Sequence, residues 1–194
     1  MKVYLIRHGE TISNKEGRYM GITDVPLSKN GINKIIEKVD EGYYPVYEGQ
    51  IIYTSKLTRT KQTLKLIYGD VEFIQEERFN ESNFGNFENK TYDELKDNPD
   101  YIKWISGDNF SNICPNGESY VQMKKRVNEA FVEIVNKHKD EGKDIIIVLH
   151  SGPIVALMEK LHPDVTKTYY EWRLENGDYY TIEDVESLVS ALEE

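Results

Sequence analysis

Two of the four histidines close the two most continuous apolar runs of the chain, His8 after residues 3–6 and His150 after residues 145–149. A neutral imidazole offers a lone pair for attack or proton transfer, and a glycine soon after each histidine, Gly9 and Gly152, permits close backbone approach to a ligand. A strand-end histidine also serves often as an ordinary packed residue, and His138 and His162, which lack such a context, read as structural. A third apolar run, 51–54, leads into Ser55-Lys56-Leu57-Thr58-Arg59, which sets Arg59 in the first turn of a helix, where anions are favoured. Thr11, Ser13 and Asn14 follow His8 closely. Arg7, Arg59, His8, His150 and an amide side chain can therefore converge on one anion. A phosphoryl dianion suits them better than a carboxylate, because it presents three oxygens to planar arginine forks. The two arginines can neutralise the charge that spreads over those oxygens, a task a magnesium ion performs elsewhere, while one histidine nitrogen attacks phosphorus.

Convergence requires a scaffold that brings strand ends together. Runs 3–6, 51–54, 71–74 and 145–149 read as short buried strands. Between them, Ser28 caps a helix with Ile32, Ile35, Ile36 and Val39 on one face, and a second helix runs from about Leu57 to a stop at Gly69. Ser119 and Gln122 have capping-box spacing ahead of Val127, Ala130, Phe131, Ile134 and His138, and a further helix follows Pro153. Alternating strands and helices predict a three-layer α/β/α fold around a mostly parallel central sheet. Ligands of such sheets bind outside the carboxyl ends of the strands. Asn176-Gly177 between 169–174 and 179–182 predicts a C-terminal hairpin. Segment 83–116 is polar and turn-rich with interspersed aromatics, and it reads either as a lid or binding loop over one end of the sheet or as a small helical excursion packing on the core.

The whole chain, 1–194, is expected to form one domain. Cys114 is the only cysteine, so neither a disulfide framework nor zinc spacing is available, and a reducing cytoplasm is the expected location. No apolar run approaches the length of a membrane span. With 34 acidic against 24 basic residues the net charge is −10, which disfavours nucleic acid and anionic membrane as partners and points to a small, locally compensated anion.

Arg7-His8-Gly9-Glu10-Thr11 with Asn14, the stretch GITDVPLSKNG at 21–31, YTSKLTRTKQT at 53–63, Gly117-Glu118-Ser119 and Leu149-His150-Ser151-Gly152 occur in that order over about 150 residues. Together they resemble the histidine phosphatase superfamily, which includes the cofactor-dependent phosphoglycerate mutases, and the compact size is similar to that of its alpha-ribazole phosphatases. The resemblance implies that His8 is the phosphoacceptor and that Arg7, Arg59 and His150 form the phosphate pocket. It sets Asn14, Gly21 and Ser151 on the substrate side and Glu81 as proton donor, with no metal or cofactor. The residues themselves do not single out Glu81 from Glu76, Glu77 and Glu88. Three positions depart from the family pattern: Met20 where a polar residue is common, Ser151 in place of a glycine, and Asn89 in place of a glycine after Glu88.

The expected activity is hydrolysis of a small phosphorylated metabolite. A phosphoglycerate mutase and a non-catalytic phospho-ligand binding module are the alternatives, and the oligomeric state is left open. His8 argues against the binding module. Against the mutase stands Ser151-Gly152-Pro153-Ile154, where mutases carry a Gly-Asn-Ser-Leu-Arg type run. Residues 84–115 also contain Lys90, Lys96 and Lys103 but no arginine to clamp a carboxylate.

Overall fold

The computed structural model describes residues 1–107, 110–163 and 165–193. Strand β1 (Val3–Arg7) is followed by the single-turn α1 (Ile12–Lys15) and by α2 (Lys29–Asp40). Then come β2 (Ile51–Thr54), α3 (Thr58–Tyr68) and β3 (Ile74–Gln75). Segment 83–116 carries α4 (Tyr92–Leu95) and α5 (Pro99–Ile105). The chain continues through α6 (Tyr120–His138), β4 (Ile145–Leu149), α7 (Ser151–Leu161), β5 (Tyr179–Ile182) and α8 (Val185–Glu193).

The strands lie in the order β3-β2-β4-β1-β5, all parallel except β5. Central β4, Ile-Ile-Ile-Val-Leu, is buried along its whole length, as a strand covered on both faces must be. One face packs on Met123, Val127 and Phe131 of α6, Leu157 of α7 and Val189 of α8. The other packs on Ile35 of α2 and Leu64 of α3. This is the expected three-layer arrangement, and each such fully buried side chain contributes about 1.5–3 kcal/mol. Register aligns Val3 with Ile145 and Ile51 with Ile145, so β1, β2 and β4 end together. That alignment delivers Arg7-His8, Ser55 and His150 to one edge.

The helix starts follow the sequence. Ser28 accepts from the Gly31 amide at 2.9 Å, and Ser119 and Gln122 close a reciprocal capping box. Helix α3 stops at Gly69, whose φ of +74° suits glycine. Helix α7 begins at Ser151, two residues before Pro153, because a proline in the first turn costs no helical hydrogen bond.

Three expectations need correction. The C-terminal hairpin does not form: among the described residues 169–174 is not a strand, and β5 pairs antiparallel with β1 instead. The Asn176-Gly177 turn exists, but Gly177 N donates to the carbonyls of Arg7 and His8 and Asn176 Nδ2 donates to His8 O, so the turn binds the end of β1. The strand expected at 71–74 shrinks to Ile74–Gln75, both exposed at the sheet edge. Helix α8 and the 3-10 turns Glu77–Phe79 and Gly85–Phe87 were not anticipated.

Segment 83–116 contains two short helices and packs a small core, with residues 108 and 109 outside the described residues. Its ends are pinned together by Glu118 N to Asn83 O and Asn86 N to Pro115 O, both 2.9 Å. Phe87, Leu95, Tyr101 and Cys114 form a small core of their own, while Phe84, Trp104 and Phe110 face a cavity over the carboxyl ends of the strands.

Candidate active site

The cavity measures about 770 Å³, and its wall carries Arg7, Asn14, Glu81 and Ser151. His8, His150 and Arg59 lie directly behind that wall, all but fully buried. The imidazole rings of His8 and His150 meet edge to face with centroids 5.1 Å apart. Strand register thus brings together residues separated by more than 140 positions.

Hydrogen bonds set the state of each histidine. His8 Nδ1 is 2.7 Å from Gly9 O, an acceptor only, so Nδ1 carries the proton and Nε2 keeps its lone pair. Arg59 Nε donates to His150 Nδ1 at 3.3 Å, which leaves the proton on Nε2, donated to Ser55 Oγ at 2.8 Å. Thr60 Oγ1 donates to Leu57 O at 2.8 Å, so the Ser55 hydroxyl in turn donates to Thr60 Oγ1 at 3.0 Å. Burial, reinforced by Arg59 and then Arg7, holds the His8 imidazole well below its ordinary pKa. Burial, Arg59 and His8 do the same for His150. Both rings are neutral at pH 7.

Both arginines are buried, and the charge of Glu81 acts on each. Among the described residues neither Arg7 nor Arg59 makes an ion pair. Arg7 Nη1 donates to Leu174 O, and its Nε has no hydrogen-bond partner. Arg59 donates to Gly21 O at 2.7 Å and Thr23 O at 3.0 Å. Burial lowers both guanidinium pKa values, but from so high a starting value that both stay charged. Ser151 Oγ, on the same wall, is likewise buried without a partner. Two buried cations with no ion pair among the described residues and two orphaned polar atoms at the cavity wall make a site for an anion.

Glu81 sits beside them. Its carboxylate accepts from Gly152 N at 3.1 Å and from Ser82 N at 2.9 Å, and Arg126 donates to its carbonyl at 3.0 Å. Arg126 is itself paired with Glu118 at 2.6 Å. A Cβ on Gly152 would collide with the Glu81 carboxylate. Asn14 caps the short α1 through its side chain, accepting from Thr11 N at 3.0 Å, while also facing the cavity. Among the described residues no three His, Cys, Asp or Glu side chains cluster so as to hold a metal ion, and no helix is long and apolar enough to cross a membrane.

The model of the histidine phosphatase superfamily, branch 1, matches residues 3–187. The chain belongs to that superfamily. The phosphoglycerate mutase-like protein 4 of Arabidopsis thaliana is 30% identical to this histidine phosphatase over all of the present chain and 87% of its own. The adenosylcobalamin/alpha-ribazole phosphatase of Escherichia coli K12 is 28% identical over 94% of this chain and 90% of its own. The crystal structure of a putative alpha-ribazole-5'-P phosphatase from Escherichia coli superposes with a TM-score of 0.82, at 26% identity, covering 94% of this chain and 89% of that one.

The expectation of a phosphatase enzyme is met at the level of the family. Of the site residues expected within this histidine phosphatase, Arg7, His8, Asn14, Arg59, Glu81, His150 and Ser151 gather at or behind one wall. Gly21 stands further back, its amide occupied by Glu88 and its carbonyl by Arg59. Met20 reaches the cavity in its place. Sequence reasoning missed Ser55, whose hydroxyl accepts the His150 Nε2 proton, and Thr63, whose hydroxyl accepts the Gly9 amide at 2.9 Å. It also missed Arg126 behind Glu81, and Arg18 and Arg173 on the cavity wall. Only the position of Ser55, closing a buried strand, offered a signal.

Proposed function

We propose that this histidine phosphatase hydrolyses a small phosphorylated metabolite through a phosphohistidine at His8. The observation that carries the proposal is a neutral imidazole, its Nδ1 committed to Gly9 O, beside two buried guanidinium groups that make no ion pair among the described residues. A phosphate dianion supplies the missing charge and lies against the Nε2 lone pair. In the first step Nε2 attacks phosphorus, the ester P–O bond breaks, and the departing alkoxide takes a proton from Glu81. In the second, water attacks phosphorus, Glu81 takes a proton back, and the N–P electron pair returns to His8 as phosphate leaves. Aromatic residues Tyr19, Phe84, Trp104 and Phe110 line the outer cavity and suit a ring-bearing or apolar leaving group. A cytoplasmic site of action accords with the lone Cys114, a buried thiol whose pKa is pushed up to about 12.

The mutase alternative draws support from one feature. Besides Arg7, the cavity receives two arginines from outside segment 83–116, Arg18 and Arg173. Arg18 is tied to Glu16 and Glu94, whereas Arg173 has no ion pair among the described residues. Phosphate release from p-nitrophenyl phosphate and a panel of metabolite esters is to be compared with 3- to 2-phosphoglycerate conversion, bisphosphoglycerate being supplied. Hydrolysis is expected to dominate. Mutase turnover faster by orders of magnitude would reverse the assignment.

A further inference from the structure

Glu88 makes no ion pair among the described residues, yet its carboxylate is densely bonded. It accepts from the amides of Gly21 at 3.2 Å, Ile22 at 3.1 Å, Thr23 at 3.2 Å and Phe84 at 2.9 Å, and from the Thr23 hydroxyl at 2.5 Å. Residues 21–23 therefore present N–H groups to Glu88. The carbonyls of Gly21 and Thr23 accept the two terminal nitrogens of Arg59 at 2.7 and 3.0 Å. The peptide between Gly21 and Ile22 thus lies between an anion and a buried cation that form no ion pair, its N–H donated to Glu88 and its C=O accepting from Arg59. The third Arg59 nitrogen, Nε, reaches His150 Nδ1 at 3.3 Å. Little slack exists in this arrangement, because Gly21 is packed so tightly on Ser82 that no Cβ could be accommodated.

We propose that Glu88 is a positioning residue for phosphoryl transfer: through the 21–23 turn it holds Arg59, and through Arg59 it fixes which nitrogen of His150 carries the proton. The proposal rests on the phosphatase reading for the reaction but not for the geometry. Glu88 is absent from the cavity wall, so it acts on substrate only through Arg59. A charged carboxylate is required because a neutral amide in its place turns N–H groups toward the N–H donors of 21–23. The turn then shifts, its carbonyls leave the guanidinium, and Arg59 Nε drifts from His150. Such supporting partners, when removed, typically cost about 10- to 100-fold in activity.

The test is a double-mutant cycle of Glu88→Gln with Arg59→Ala on p-nitrophenyl phosphate, joined to nitrogen NMR of the His150 ring. Alone, Glu88→Gln is expected to lower kcat about 10- to 100-fold while KM moves less than about threefold. In the Arg59→Ala background the further loss is expected to stay under about twofold, since the two residues act as one unit. The His150 signals are expected to change from a single tautomer protonated at Nε2 to an average of both. Thr23→Val, which removes one hydroxyl contact only, carries the same cycle if Glu88→Gln does not fold, with a smaller loss equally dependent on Arg59. Additive losses or an unchanged His150 tautomer overturn the proposal. If His8→Ala is inactive and the cycle is additive, Glu88 alone is misassigned. If His8→Ala remains active, the reaction is misassigned while the His150 signals still decide the role of Glu88.

Discussion

Gly152 N donates to the Glu81 carboxylate at 3.1 Å, so the helix that begins at the second histidine also orients the proposed acid. The contact couples backbone placement to leaving-group chemistry. Glu81→Gln is expected to slow alkyl phosphates by about 10²- to 10⁴-fold, yet spare p-nitrophenyl phosphate, whose leaving group needs little protonation. Gly152→Ala, which drives a methyl into that carboxylate, is expected to show the same selectivity in weaker form. Equal losses on both ester types would remove Glu81 from the acid role.

His8→Ala is expected to lower phosphate release by about 10³-fold or more with thermal melting at pH 7.5 near that of the unsubstituted protein. Labelled substrate quenched in alkali is expected to leave label on the unsubstituted chain and none on the variant, because phosphoramidates survive base and hydrolyse in acid. An acid-stable, base-labile adduct would instead point to an acyl phosphate.

Stability is expected to depend on pH through the two buried imidazoles. Their folded pKa values are depressed, whereas in the unfolded chain histidine ionises near ~6.5. Below that pH the unfolded state binds protons that the folded state refuses. The stabilisation is therefore whole above about pH 6.5 and is lost as pH falls toward the folded values, by up to about 2.7 kcal/mol per pH unit for two groups. Urea midpoints at pH 7.5 and 5.5, in buffer free of phosphate, measure this. His150→Ala is expected to reduce the slope, and a slope unchanged by that substitution would contradict the electrostatic account of the pair.

Arg7 and Arg59 are buried with no ion pair among the described residues. Inorganic phosphate at 100 times its Kd is expected to raise unfolding stability by about 2.7 kcal/mol. Arg7→Met is expected to abolish that gain and turnover together while leaving the ligand-free protein within about 1 kcal/mol of the original or above it, since an unpaired buried charge is removed. A large loss of ligand-free stability would show that Arg7 mainly serves the fold through Leu174 O.

The parallel core was legible in the sequence because each buried strand is a continuous apolar run ending at a cap, as in 145–149 with His150. The site was legible at Arg7, His8, Arg59 and His150, since strand ends converge in any parallel sheet. Glu81 was not, because nothing local separates one glutamate from Glu76, Glu77 or Glu88; its place is set by Gly152 and Arg126, distant in sequence. The hairpin misled for a related reason. Residues 169–174 alternate like a strand, but Trp172 is buried in the core while Arg173 is exposed, and β5 finds a better partner in β1. Turn chemistry at Asn176-Gly177 was read correctly, though its partner was not.

That turn carries a consequence for the order of synthesis. The carbonyls of Arg7 and His8 emerge from the ribosome some 170 residues ahead of the donors that secure them, Gly177 N and Asn176 Nδ2. Strand β1 likewise awaits β4 and then β5 to gain neighbours on both edges. A growing polypeptide thus carries His8 early in an unfinished setting. A chain cut before Asn176 is expected to leave the Arg7 and His8 carbonyls without these donors and β1 without its β5 neighbour.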